Sequence, residues 1–225
     1  MSYIVAKDLV KHYGRGESAV EAVRGMSFQI SAGEFVAIMG ESGAGKSTVL
    51  SIMGAMNAPT SGEYIVDDIN IYELKREQRA DFRREFLGFI FQSFHLMPYL
   101  TVAENVMLPL AIVKVSSKEK VAMAQDALAW VGLADKAKRL PSQISGGEKE
   151  RVAIARAIVN EPPVLMADEP TGNLDTKTSG DLMDLLLKLN GDGMTIVMVT
   201  HSHKCAGHAG RILHITDGRL QEVSN

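Results

Sequence analysis

Five apolar residues, Phe35-Val36-Ala37-Ile38-Met39, run directly into Gly40-Glu41-Ser42-Gly43-Ala44-Gly45-Lys46-Ser47, and Thr48-Val49-Leu50-Ser51-Ile52 follows. Nothing else in the chain restricts its fold as tightly. A short continuous apolar run is what a parallel strand buried on both faces requires, and the residues from Thr48 read as a helix start. The eight residues between them match the phosphate-binding loop pattern, with Gly40, Gly45, Lys46 and Ser47 at its defining positions. Glycines let consecutive backbone N–H groups turn inward around phosphate oxygens, and the helix N-terminus adds partial positive charge. Residues Gly40 to Thr48 are therefore the candidate nucleotide-binding segment. Within it Lys46 would neutralise the β and γ phosphates, and Ser47 would offer a hydroxyl to Mg²⁺, an ion that prefers oxygen ligands.

Further apolar runs recur at Leu87 to Phe91, interrupted by Gly88, at Val164 to Ala167 and at Thr195 to Thr200. Between them lies helical spacing: Ala124, Leu128 and Val131, then Leu182, Leu185, Leu186 and Leu189. Strands alternating with helices indicate an α/β fold with a mainly parallel sheet. The first sixty or so residues differ, because Met26, Phe28 and Ile30 alternate with Ser27 and Gln29 as in a sheet with one wet face. Residues 93–162 hold no convincing strand. They are expected to form a helical subdomain inserted in a core made of residues 1–92 and 163–225.

Three apolar runs end in polar residues suited to catalysis. Val164-Leu165-Met166-Ala167 ends in Asp168-Glu169, of which Asp168 suits a Mg²⁺ shell and Glu169 suits a base that polarises the attacking water. Gln92 ends the run Phe89-Ile90-Phe91, and His201 ends Ile196 to Thr200. In an open parallel sheet ligands bind at the carboxyl ends of the strands, so Gly40, Gln92, Asp168 and His201 should converge on one crevice. There Gln92 could orient water or complete the metal shell, and His201 could hydrogen-bond the γ-phosphate. A separate element, Ser145-Gly146-Gly147-Glu148, precedes a helix-forming stretch and builds a second anion-attracting helix N-terminus. One nucleotide rarely needs two such sites from one subunit.

A chain of 225 residues with net charge −3 and one cysteine, Cys205, fits a single domain in a reducing compartment and argues against electrostatic capture of nucleic acid. The N-terminal residues lack the pattern of a secretory signal, and no run of about 18 apolar residues offers a membrane span. A cytoplasmic location is expected, with any membrane link made through another chain. The charged run Lys75 to Glu85 mixes both signs at helical spacing and reads as a solvated helix face. His201, His203, Cys205 and His208 invite comparison with a transition-metal site, but their spacing matches no standard zinc pattern.

Taken in order, Gly40 to Ser47, Gln92, Ser145-Gly146-Gly147, Asp168-Glu169 and His201 resemble the ATP-binding subunits of ABC transporters over essentially the whole chain. The resemblance implies a P-loop NTPase core with an antiparallel β subdomain and an inserted helical subdomain, an ATPase using ATP and Mg²⁺. It also implies a head-to-tail dimer with a second copy, the Ser145 segment of one subunit closing on nucleotide held by the other. Tyr13 would stack on adenine, and Asp175 would belong to a loop crossing the dimer interface. Integral membrane permease subunits would hold the protein on the inner face of the cell membrane. The segments Ala167 to Asp175 and Phe91 to Pro98 are similar to the lipoprotein-releasing, macrolide-exporting and cell-division branch. Ile144 and Glu148 stand where the family commonly has leucine and glutamine, and Ser202 where an acid often follows the histidine. A division-type or soluble remodelling ATPase is the competing reading. Phe94, Leu96, Met97, Tyr99 and Leu100 are open to two assignments, a docking groove or subdomain core.

Overall fold

The computed structural model describes residues 2–14 and 19–224. The chain starts with two long antiparallel strands, β1 (Ser2–Tyr13) and β2 (Val20–Ser31), then β3 (Phe35–Met39), α1 (Lys46–Met53), β4 (Ser61–Val66) and β5 (Ile69–Asn70). It continues through α2 (Arg76–Phe86), β6 (Leu87–Phe91), α3 (Val102–Met107), α4 (Ser117–Trp130) and α5 (Gly146–Ile158). The last part is β7 (Val164–Asp168), α6 (Thr176–Gly191), β8 (Thr195–Val199), α7 (His203–Ala206), β9 (Arg211–Thr216) and β10 (Arg219–Ser224). Strands β2-β1-β4-β5 make an antiparallel sheet, and β10-β9-β3-β8-β7-β6 make the central sheet, parallel except at its β10 edge.

The central strands are apolar throughout because both faces are covered. Successive side chains point to opposite faces, so Ala37, Met39, Leu165, Ala167, Ile196 and Met198 join one core with residues of α3 to α6. Val36, Ile38, Val164, Met166, Val197 and Val199 join a second core with α1 and the antiparallel sheet. Segment 93–162 carries α3, α4 and α5 and does not stand apart. Its last helix, α5, returns to lie on β6, and a Cβ at Gly88 would collide with the Ala157 carbonyl. That close approach explains a glycine inside an otherwise apolar strand.

Strand register sets up the site. Ile38 pairs with Val199, Val199 with Asp168, and Asp168 with Phe91, one row across four strands. Residues following this row, Gly40, His201, Glu169 and Gln92, therefore leave the sheet along one edge. The charged run at 75–85 forms α2, where Arg84 pairs with Asp81 at 2.8 Å on the solvent side. The stretch from Phe94 to Leu100 is divided: Leu96 packs against the core while Tyr99 is 74% exposed. Buried Asn105 shapes it, accepting from Met97 N at 2.7 Å and donating to the Met97, Leu100 and Thr101 carbonyls. Among the described residues no helix is long and apolar enough to cross a membrane.

Candidate nucleotide site

The glycine-rich loop closes on α1 through Gly45, which caps the helix in the left-handed conformation at φ 101°. A side chain there would also strike the Ala22 carbonyl of β2, so only glycine fits. The first turn of α1 leaves its leading N–H groups without intrahelical acceptors. They border a cleft of about 330 Å³ lined by Ser42, Gly43, Gly45, Lys46, Ser47 and Thr48 of the loop, by Ala22, and by Glu169 and His201. Lys46 is nearly buried, and its ammonium donates to the Gly40 and Glu41 carbonyls at 2.8 and 2.9 Å. An ammonium has three donors, so one N–H remains for a ligand. Gly40 and Glu41 themselves border an adjoining hollow beyond His201, and Ala44 points into the core.

Asp168 ends β7 beside Ser47 of α1. Burial first, and the neighbouring Glu169 charge second, push the Asp168 carboxyl above its ordinary value, while Ser47 and Lys46 pull it down. Its Oδ1 is buried with no hydrogen-bond partner. A buried carboxylate oxygen left without a partner is costly, and next to a serine hydroxyl it makes a hard oxygen pair of the kind Mg²⁺ selects. Ser47 and Asp168 thus fit the ion. Glu169 takes a positive φ of 48°, a conformation rare for a residue with a side chain, and its N–H is held by the Val199 carbonyl at 2.9 Å. This turns the carboxylate into the cleft, where Oε2 meets His201 Nδ1 at 2.9 Å. The acid is sheltered, 15% exposed, whereas the imidazole is 68% exposed and reaches outward.

Other expected residues lie outside this cleft. Gln92 leaves β6, three strands from β3, which at about 4.8 Å per strand places it roughly 14 Å to the side. Its carboxamide lies against Gly172 instead, and its carbonyl accepts from Asn173 Nδ2 at 2.7 Å. Tyr13 ends β1 half exposed, with the Lys11 ammonium 5.3 Å from its ring centre. Ser145 caps α5: its Oγ accepts from Glu148 N at 3.2 Å, and Glu148 Oε2 accepts from Ser145 N at 2.7 Å. Asp175 caps α6, accepting from the Lys177 and Thr178 N–H groups and from the Thr178 hydroxyl. These two helix starts are neighbours, because a Cβ at Gly147 would lie 2.5 Å from Thr178 Cγ2.

The histidine and cysteine group does not gather. Cys205 is buried against the Thr171 hydroxyl at 3.2 Å, and His208 Nδ1 lies 2.9 Å from the Lys204 carbonyl. Among the described residues no three His, Cys, Asp or Glu side chains come together as a metal site. Sequence reasoning missed Ala22, which only tertiary folding brings to the cleft. It also missed Glu150, a wholly buried carboxyl of α5 with both oxygens unpaired.

Residues 23–172 match the ABC transporter family. The chain is 45% identical over 217 residues to YvrO of Bacillus subtilis, named an ABC transporter ATP-binding protein, covering 96% of this chain and 95% of that one. It is 44% identical over 220 residues to the lipoprotein-releasing system ATP-binding protein LolD of Geobacter metallireducens, covering 97% and 98%. It is also 42% identical over 217 residues to the macrolide export ATP-binding/permease protein MacB of Hyphomonas neptunium, 96% of this chain but 34% of MacB. A solved ATP-binding cassette, a dimer in a post-hydrolysis state bound to ADP and Pi, superposes with a TM-score of 0.90 at 41% identity, covering 99% and 98%.

Proposed function

The chain belongs to the ABC transporter family as its ATP-binding and ATP-hydrolysing cassette, and we propose that two copies close head to tail on two ATP molecules to drive lipoprotein release or export by membrane permease subunits. One observation carries the dimeric reading. The capped N-terminus of α5 at Ser145 and Gly146 is exposed and stands beside Asp175, outside the cleft that holds Lys46. One chain therefore presents a phosphate loop and, outside that loop's cleft, an exposed anion-attracting helix start. A second copy turned head to tail brings these halves together.

In that arrangement the loop N–H groups and the free N–H of Lys46 receive the β and γ phosphates. Ser47 and Asp168 would hold Mg²⁺, which would neutralise charge on the phosphate oxygens. Glu169, sheltered and oriented by His201, accepts a proton from the water attacking the γ-phosphorus, and the bond to the β–γ bridging oxygen breaks to leave ADP. His201, with Nδ1 toward Glu169, has Nε2 for the γ-phosphate. Gln92, on the edge strand next to the one that carries Asp168, is suited to reporting nucleotide state to the permease side. Tyr13 is assigned to the adenine and Asp175 to the dimer seam.

The partner reading rests on similarity to LolD and MacB and is tested by purifying the tagged protein from gently solubilised membranes. A stoichiometric chain with few membrane spans and a large extracytoplasmic domain is the expected companion, with the cassette on the cytoplasmic side. If Glu169→Gln with ATP retains only soluble partners, the remodelling ATPase is the better reading.

A further inference from the structure

The segment that carries Gln92 is gripped at two points, by Asn173 and by Arg156. Asn173, in the loop that follows the Asp168 and Glu169 carboxylates, donates to the Gln92 carbonyl at 2.7 Å. Two and three residues after Gln92, Phe94 and His95 both take left-handed backbone angles, φ 57° and 49°. For residues with side chains this conformation costs about 1–2 kcal/mol each, and two in succession persist only where surroundings hold them. Here the holder is Arg156 of α5. Its Nη2 donates to the Phe94 carbonyl at 2.6 Å and its Nη1 to the His95 carbonyl at 2.7 Å. The paired left-handed residues set these two carbonyls side by side, matched to the planar guanidinium fork. The Phe91 and His95 rings, with centres 5.0 Å apart, close the turn.

We infer that Arg156, assisted by Asn173, is a positioning residue for the ATPase reaction, fastening the Gln92 segment between the helix that begins at Ser145 and the loop that carries the catalytic carboxylates. Neither residue lines the cleft or touches the phosphate loop, so each acts through Gln92. The consequence is mechanical. Any displacement of α5, which bears the surface offered to the second copy, is carried by a two-point hydrogen bond to the backbone two and three residues after Gln92. The inference rests on the assignment of Gln92 to the reaction.

The test is a double-mutant cycle in Mg-ATP hydrolysis by the full-length chain, using Arg156→Lys, Gln92→Ala and the combination. Lysine keeps the charge and loses the fork, so Arg156→Lys should lower kcat about tenfold, within the range set by small misplacements of reacting groups. KM for ATP should change less than about twofold, because the phosphate loop is untouched. In the Gln92→Ala background the Arg156→Lys effect should disappear. Full additivity, or an unchanged kcat in Arg156→Lys alone, overturns the positioning role. An unchanged kcat in Gln92→Ala removes Gln92 from the reaction and the inference with it, a result recognisable from that single variant. Should Arg156→Lys fail to fold, Asn173→Ala at an exposed position serves in the same cycle, with the same outcomes deciding.

Discussion

Replacing Glu150 by glutamine should remove a pH dependence of folding that the buried carboxyl creates. Glu150 is fully buried, neither oxygen has a hydrogen-bond partner, and Arg156 supplies the only opposing pull. Burial pushes the carboxyl up from 4.5 to about 8. The folded chain therefore holds a proton that the unfolded chain releases above 4.5. With the folded pKa the higher, stability is full below 4.5, falls as pH rises toward 8, and is level above it. At about 1.36 kcal/mol per pH unit the ceiling is about 5 kcal/mol, and relaxation with water entry leaves an expected effect of about 2–3 kcal/mol. Urea denaturation of wild type and Glu150→Gln at pH 5 and pH 8.5 isolates it, since any cost of a buried amide is equal at both values. With a slope near 2 kcal/mol per molar, the wild-type midpoint should drop by about 1 M more than that of the variant between the two pH values. Equal pH responses in the two proteins would refute the reasoning.

Three further outcomes follow from the same geometry. Lys46→Ala removes the counter-charge to the phosphates and should lower ATP turnover by at least about a hundredfold, the scale of losing one preorganised electrostatic group, as read by phosphate release. Glu169→Gln should keep ATP binding, measured by equilibrium dialysis, while hydrolysis falls by about 10²–10⁴-fold; turnover at the wild-type rate would remove Glu169 as the base. Gly88→Ala drives a methyl group into the Ala157 carbonyl and should cost about 1–3 kcal/mol in denaturant titration, with an unchanged midpoint contradicting the α5-on-β6 contact.

Much of the catalytic edge was legible because apolar runs of similar length, each ending in a polar residue, encode a parallel sheet and its carboxyl ends. The row Ile38, Val199, Asp168, Phe91 puts that expectation on a register. Convergence was incomplete, however, because a run of residues does not reveal strand order. With β6 three strands from β3, Gln92 ends at the far side of the same edge. Contacts made across the fold left no local trace: Ala22 reaches the loop from a different sheet, and Arg156 finds Phe94 and His95 from about sixty positions away. Glu150 was hidden for another reason. Between Lys149 and Arg151 it reads as part of a charged helix face, yet the packing of α5 turns that one carboxyl inward.

The central claim is that Ser145 of one copy closes the cleft of the other, and sedimentation of the hydrolysis-blocked protein tests it most directly. Glu169→Gln is expected to sediment as a dimer with ATP and as a monomer without it. Adding Ser145→Arg at the exposed cap should leave nucleotide binding to the monomer intact while the ATP-dependent dimer disappears. A dimer that persists in the double variant would contradict the account.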